Sequence, residues 1–222
     1  MSAFTTLTLA SCVTTSLSDP NGSGHDQDLS VYELTSEQPG RAVTEADIAR
    51  SASRGGSLPA RGSRILLVQS GAHQPDPELV AACSAYCQPV VWNGQNTNTD
   101  DEKKSAGAPA GRRLRLAAAQ QGCSHVVVIF GEIQSDSREL PTSILSWVPV
   151  AGEILPSERS GTRLLAQAVI METRSPRYTM ISAQPRQQQG LTTAYGASGI
   201  NGRRAEKLKA LAYPELAQQS FR

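Results

Sequence analysis

The apolar positions of the chain fall into short continuous runs that alternate with stretches of helical spacing. Continuous runs bounded by glycine or turn residues predict strands covered on both faces, because such strands carry apolar residues at every position. Apolar residues three and four positions apart predict helices that bury one face. The predicted strands are 64–70, 89–92, 125–133, 162–173 and 177–182, and the predicted helices are 76–87, 112–121 and 205–219.

The order of these elements, β-α-β-α-β-β-β-α, predicts the fold class α/β, a small mixed β-sheet packed with helices. Asp76 and Pro77 open the first helix, where Asp suits the N-cap and Pro suits the first helical position. Pro214 lies inside the last helix and lacks an amide hydrogen, so we expect a break or kink near Tyr213. Residues 187–202 are rich in Gln and Gly and predict a loose connection.

The N-terminal part of the chain has a different composition. Residues 13 to about 42 show no apolar periodicity and are rich in Ser, Thr, Asp and Gly, which predicts a flexible tether. Thr44-Glu-Ala-Asp47 resembles the start of a helix and predicts one short helix ending near Ala52. We therefore expect a flexible tether with one short helix over 12–60, followed by one α/β domain over 61–220.

Composition and charge remove several classes of protein from consideration. The 222 residues include 21 basic and 20 acidic side chains, a net charge of +1, whereas nucleic-acid binders usually carry a basic excess. No apolar run approaches the roughly 20 residues of a membrane-spanning helix. We expect no nucleic-acid partner and no helical membrane span. The basic groups of the last helix predict a solvated face: Arg203, Arg204, Lys207 and Lys209.

The first twelve residues carry a possible membrane address. Leu9-Ala-Ser-Cys12 resembles the lipobox of bacterial lipoproteins, in which the Cys becomes the first mature residue and carries the lipid. This resemblance implies a lipoprotein-type signal peptide over 1–11 and contact with the lipid bilayer through acylated Cys12. The signal peptide is atypical, because it has no Lys or Arg and its apolar stretch is short. Val13 after the Cys resembles the pattern of lipoproteins destined for the outer membrane, facing the periplasm. The alternative is a disordered N-terminus with a chance Cys.

Three further motifs resemble an uncharacterised family of bacterial lipoproteins. They are the run Ile65-Leu-Leu-Val-Gln-Ser-Gly-Ala72 with Pro75-Asp76, Ser146-Trp-Val-Pro-Val-Ala-Gly152 with Pro156, and the late Leu208-Lys-Ala-Leu-Ala-Tyr213. The resemblance covers most of residues 60–220 and implies a lipoprotein address and a small α/β domain, without a known activity. The β-α-β-α start is also similar to the N-terminal domain of TolB-type periplasmic proteins, a likeness of fold alone.

Cysteine and histidine side chains are the candidates for a metal site. Cys83 and Cys87 lie four apart on one predicted helix, and Cys123 and His125 flank the start of a strand. Zinc ligands must converge, and Cys-x-x-x-Cys is not the usual spacing. We therefore expect inert core thiols and no metal or cofactor, with a Cys83–Cys87 or Cys87–Cys123 disulfide as the alternative.

An envelope hydrolase is the rival to a binding protein. Acyl transfer needs a nucleophile, a base and an orienting acid, and Ser70, His73 and Glu132 could supply them at one loop edge. The nucleophile elbow Gly-x-Ser-x-Gly is absent. We therefore expect no enzyme and keep the hydrolase as the alternative.

The segment Leu145–Pro156 is the most unusual stretch of the chain. It is apolar, yet its two prolines and a glycine resist both helix and strand. An exposed apolar loop indicates a docking surface, whereas the alternative is a lid on the core. We expect a non-enzymatic binding or structural module of the envelope, whose partner is an unknown envelope protein or glycan. The predicted contact residues are Trp147, Val148, Pro149, Ile154 and Leu155.

Overall fold

The computed structural model describes residues 10–18, 29, 31–35, 55–93, 108–139, 158–192 and 197–221. The strands are β1 (Ala10–Ser16), β2 (Arg64–Gln69), β3 (Gln88–Val91), β4 (His125–Glu139), β5 (Glu158–Glu172), β6 (Tyr178–Ser182) and β7 (Arg186–Thr192). The helices are α1 (Val31–Thr35), α2 (Pro77–Ser84), α3 (Ala110–Gln120) and α4 (Ala197–Ser220). This mixed architecture confirms the predicted fold class.

The described strands form a single mixed sheet in the order β3-β2-β4-β5-β6. β2 is parallel to both β3 and β4, whereas β4, β5 and β6 are antiparallel neighbours. β7 pairs with the first half of β5, and β1 pairs with the second half of β4. β1 therefore continues the place of β2 beside β4, since β2 pairs with residues 125–129 and β1 with residues 132–138.

Helices cover β2 on both faces, which explains its continuous apolar run. Ile65 and Leu67 pack in a cluster with α2 and α4, and Leu66 and Val68 pack in a second cluster with α1 and α3. All four side chains are buried. A strand covered by helices on both faces needs apolar residues on both, so the alternation of polar and apolar positions disappears after the exposed Arg64.

Helix α4 passes through Pro214, so of the predicted break or kink near Tyr213 the break is wrong. Tyr213 and Leu216 are buried on either side of the proline, while Pro214 itself is exposed on the solvent face. A proline inside a helix costs about 3 kcal/mol or more. Burying several large apolar side chains of the same face offsets that cost, since each contributes roughly 1.5–3 kcal/mol. The helix also begins earlier than predicted, within the region expected to be loose.

Three stretches within the tether predicted over residues 12–60 contact the folded domain, and the last of them is residues 55–60, where the Gly56 amide donates to the Tyr178 carbonyl oxygen. Ala10–Ser16 form a strand, and Leu17 directly after it is completely buried in the core. Val31–Thr35 form a helix whose Leu34 is buried against α3. Two isolated leucines cannot produce a periodic pattern, so the sequence did not reveal these elements. The short helix predicted over 44–52 lies outside the described residues.

Candidate functional site

The carboxyl end of β2 is where the strand order predicts a crevice. The connections from β2 to β3 and from β3 to β4 run over opposite faces, and ligands of open α/β sheets bind where the strand order reverses in this way. In this chain the residues directly after β1 occupy that crevice. The Leu17 amide donates to the Gly131 carbonyl oxygen at 3.0 Å, and the Ser18 hydroxyl donates to the Ser70 carbonyl oxygen.

A buried glutamine connects this N-terminal segment to the loop that follows β2. Gln69 is almost completely buried. Its side-chain nitrogen donates to the Ser18 hydroxyl at 3.1 Å, and its side-chain oxygen accepts from the Asp76 amide at 2.8 Å. Both ends of the carboxamide are therefore satisfied within the protein, as burial of a polar group requires.

Asp76 also joins helix α2 to helix α4. Its carboxylate oxygen Oδ2 accepts from the Lys209 ammonium at 3.1 Å and from the Tyr213 hydroxyl at 2.5 Å. Burial, and then the negative charge of Asp76, raise the pKa of Tyr213, so the phenol keeps its proton and donates. Asp76 occupies the N-cap position as predicted, but its side chain makes no capping bond to α2. The carboxylate is used in the contact with α4 instead.

The prediction of a solvated basic face on the last helix is wrong for two residues. Lys209 and Arg204 are both buried. The Arg204 guanidinium donates to the carbonyl oxygen and the hydroxyl of Ser160, at 3.1 and 2.6 Å, and fastens the start of α4 to β5. Lys209 also approaches Glu206 at 3.3 Å. Their long aliphatic stems let these residues cross the apolar face before they reach a polar partner.

The structure places the three residues of the hydrolase hypothesis in different surroundings. Ser70 is buried, and its hydroxyl accepts from the Leu29 amide at 2.7 Å and donates to the Leu29 carbonyl oxygen at 3.4 Å. His73 and Glu132 are exposed, and Glu132 accepts from the Gln134 side chain at 3.5 Å. A catalytic hydroxyl must face a base and a substrate. The Ser70 hydroxyl faces backbone.

Cys83, Cys87 and Cys123 are buried and carry free thiols. Burial raises the pKa of Cys83 to about 12 and the pKa of Cys87 to about 11, and it also raises the pKa of Cys123. The thiolate is the form that binds metals and reacts, so these thiols are inert at neutral pH. Neither of the disulfides considered from the sequence forms, and no cluster of three potential metal ligands occurs in the described residues.

A serine, histidine and glutamate meet at the opposite end of the sheet, where no sequence motif predicted a site. The Ser57 amide and hydroxyl donate to Glu172 Oε1 at 2.9 and 2.7 Å, and Nε2 of His125 lies 3.3 Å from the same hydroxyl. The Ser175 hydroxyl donates to the second carboxylate oxygen of Glu172 at 2.5 Å. In a catalytic triad the imidazole lies between the serine and the acid. Here the serine lies between, so the cluster fastens residue 57 to the sheet.

The ionisation of Glu172 makes the stability of the fold depend on pH. Hydrogen bonds from Ser175 and Ser57 lower the pKa of Glu172 from 4.5 to about 2. A group with a depressed folded-state pKa contributes stability that is complete above about pH 4.5 and is lost as the pH falls towards 2. We expect Glu172→Gln to lower the urea midpoint of unfolding at pH 7 more than at pH 3. Equal losses at both pH values would contradict the assignment, and Ser175→Ala should act in the same direction as Glu172→Gln.

Comparison with known families decides the class of the protein. A family model described as YafT bacterial lipoprotein matches residues 28–222. This chain belongs to that family. Membership confirms the resemblance to bacterial lipoproteins drawn from the sequence, and it places the chain among the lipid-anchored proteins of the bacterial envelope. No curated protein matches the chain.

One solved structure shares a weak likeness with this lipoprotein. The hypothetical protein CT253 from Chlamydia trachomatis is 10% identical, the match covers 72% of this chain and 91% of that one, and the TM-score is 0.24. At that score the likeness supports no argument. Among the helices of the described residues, none is long and apolar enough to cross a membrane.

The structure describes the residue predicted for the lipid anchor but not the residues predicted to contact a partner. Cys12 lies in β1, where its backbone pairs with Asp136. The match to the lipoprotein family begins at residue 28, so Cys12 precedes it. The predicted contact residues fall outside the described residues: Trp147, Val148, Pro149, Ile154 and Leu155.

Proposed function

We propose that this lipoprotein is anchored through acylated Cys12 and works by binding rather than by catalysis. The proposed location is the outer membrane, facing the periplasm. The proposed partner contact is the apolar segment around Trp147, and the partner is a component of the envelope. Family membership supports the lipid anchor, and the lipobox-like sequence Leu9-Ala-Ser-Cys12 supports its position.

The proposal of binding without catalysis rests on one observation: the polar side chains at the carboxyl end of β2 are hydrogen-bonded within the protein. An enzyme needs convergent polar groups that are free to meet a substrate. Here the Ser70 hydroxyl is held by Leu29, and Gln69 bridges Ser18 and Asp76. The Asp76 carboxylate is held by α4. Each group already has an internal partner, which favours a structural role for this cluster over a hydrolytic one.

The anchor is tested by replacing Cys12 with alanine in the native host. A single acyl chain gives only marginal membrane binding, so stable attachment requires more than one chain on the same residue. We expect the wild-type protein in the membrane fraction and Cys12→Ala in the soluble fraction. Cys123→Ala removes a buried thiol and should leave fractionation unchanged.

Identical fractionation of the wild-type protein and Cys12→Ala would refute the anchor at this position. Purified Cys12→Ala protein then serves the second part of the proposal. Hydrolysis of envelope esters or glycans that is lost in Ser70→Ala would favour the hydrolase, with Ser70, His73 and Glu132 as its residues.

A further inference from the structure

The proposed lipid attachment point lies inside the sheet and not at the end of a spacer. The backbone of Cys12 pairs with Asp136 in the antiparallel ladder between β1 and β4. β1 leads directly into Leu17, whose side chain is completely buried in the cluster that contains α2 and α4. A lipid on Cys12 would therefore be attached to the folded domain itself.

We infer that the bilayer lies against one end of the sheet, the anchor end, defined by the last residue of β4 and the first residue of β5. This rests on the acylation of Cys12 proposed above. Glu139 and Glu158 pair with each other at that end. They lie three residues beyond Asp136, which is about 10 Å at roughly 3.4 Å per residue. Acyl chains on Cys12 bring the anchor end to the lipid headgroups, and lipid is the partner it meets.

The residues at and next to the anchor end agree with contact to lipid. Val13 follows Cys12 and is an exposed large apolar residue, with 54% of its surface accessible.

The opposite end of the sheet lies far beyond the reach of the anchor. Glu172 at the end of β5 pairs with His125 at the start of β4. Thirteen residues of β5 separate Arg159 from Glu172, a length on the order of 45 Å in an extended strand. An upright domain therefore holds one end at the headgroups and the other well outside the membrane. This difference can be measured.

Two exposed arginines provide a matched pair of reporter positions. Arg159 lies next to the anchor end, and Arg174 follows β5 at the opposite end. Arg159→Cys and Arg174→Cys remove the same charge and each introduce one reactive thiol. The native thiols are buried and have raised pKa values, so a thiol-directed fluorophore labels them slowly at neutral pH. The sulfur of acylated Cys12 is blocked by its lipid.

The experiment measures quenching of each fluorophore in protein-free vesicles that carry nitroxide-labelled headgroups. The full-length acylated protein is purified from the host and reconstituted. We expect strong loss of fluorescence for Arg159→Cys and little change for Arg174→Cys. Equal quenching at both positions, quenching at neither, or stronger quenching at Arg174→Cys would overturn the orientation. Because no other protein is present, a positive result identifies lipid as the partner of the anchor end.

A spacer variant separates this inference from the proposed anchor. Twenty Gly and Ser residues inserted between Cys12 and Val13 span roughly 25 Å as a flexible chain. The spacer should preserve flotation with the vesicles and reduce the quenching at Arg159→Cys. Quenching that the spacer leaves unchanged contradicts the claim that the direct attachment sets the orientation. A wild-type protein that does not float with vesicles refutes the anchor, whereas flotation without the difference in quenching refutes only the orientation.

Discussion

Leu17→Ala is expected to lower the free energy of unfolding by roughly 2–5 kcal/mol, the range for large-to-small changes in a packed core. The reason is the complete burial of Leu17, which attaches the N-terminal strand to the cluster shared with α2 and α4. Urea denaturation measures the loss. Hydrogen exchange should also show faster opening at the Leu17 amide, which donates to Gly131.

Val13→Ala is the matched control for this prediction. Val13 lies on the same strand, but its side chain is mostly exposed, so its replacement should change the stability by less than about 0.5 kcal/mol. Equal, small effects of both substitutions would show that β1 is not docked in solution. The N-terminal residues would then behave as the flexible tether that their composition predicts.

Asp76→Ala is expected to cost about 3 kcal/mol, because it removes the acceptor shared by Lys209 and Tyr213. Breaking a buried ion pair from one side typically costs about 3–5 kcal/mol, since the other charge remains buried without its partner. The Lys209 side chain is only 5% exposed, whereas the Asp76 side chain is 25% exposed, so we place the expected cost at the lower end. Chemical denaturation at neutral pH gives the value.

Two further variants distinguish the buried contact from ordinary surface charge. Glu206 also approaches Lys209, but its side chain is 58% exposed, so Glu206→Ala should cost less than about 1 kcal/mol. Lys209→Met keeps most of the side-chain volume and removes the buried charge, so it should cost less than Asp76→Ala. If Asp76→Ala and Glu206→Ala lower the stability equally, the contact between α2 and α4 does not hold the helices together.

The elements that the sequence predicted well are those buried on two faces. The continuous apolar runs of β2 and of the first half of β4 follow from helices on both sides of the sheet. β7 was missed because its residues are mostly polar and it lies at a sheet edge, where backbone hydrogen bonds to β5 suffice to form a strand. β1 was missed because it pairs with β4 mainly through its backbone, and the buried Leu17 lies just beyond its last residue.

The polar network could not be predicted, because its partners are far apart in the chain. Asp76 and Tyr213 are separated by 137 positions, and Gln69 and Ser18 by 51. Local patterns indicate that a residue is polar or lies near a helix start, but only the packing of α4 across the sheet decides which acceptor is close. The placement of Asp76 at the start of α2 followed from local rules, whereas the partner of its carboxylate did not.

The position of β1 also determines how the domain carries mechanical load. Movement of the envelope would pull on an acylated Cys12 along the axis of β1, away from Leu17. The ladder bonds between β1 and β4 lie nearly perpendicular to that axis, so they are loaded together in shear and are not opened one after another. Detachment would require these bonds to fail together while Leu17 leaves the core. β1, which is hydrogen-bonded to β4, would thus transmit force between the domain and its lipid without separating from the sheet.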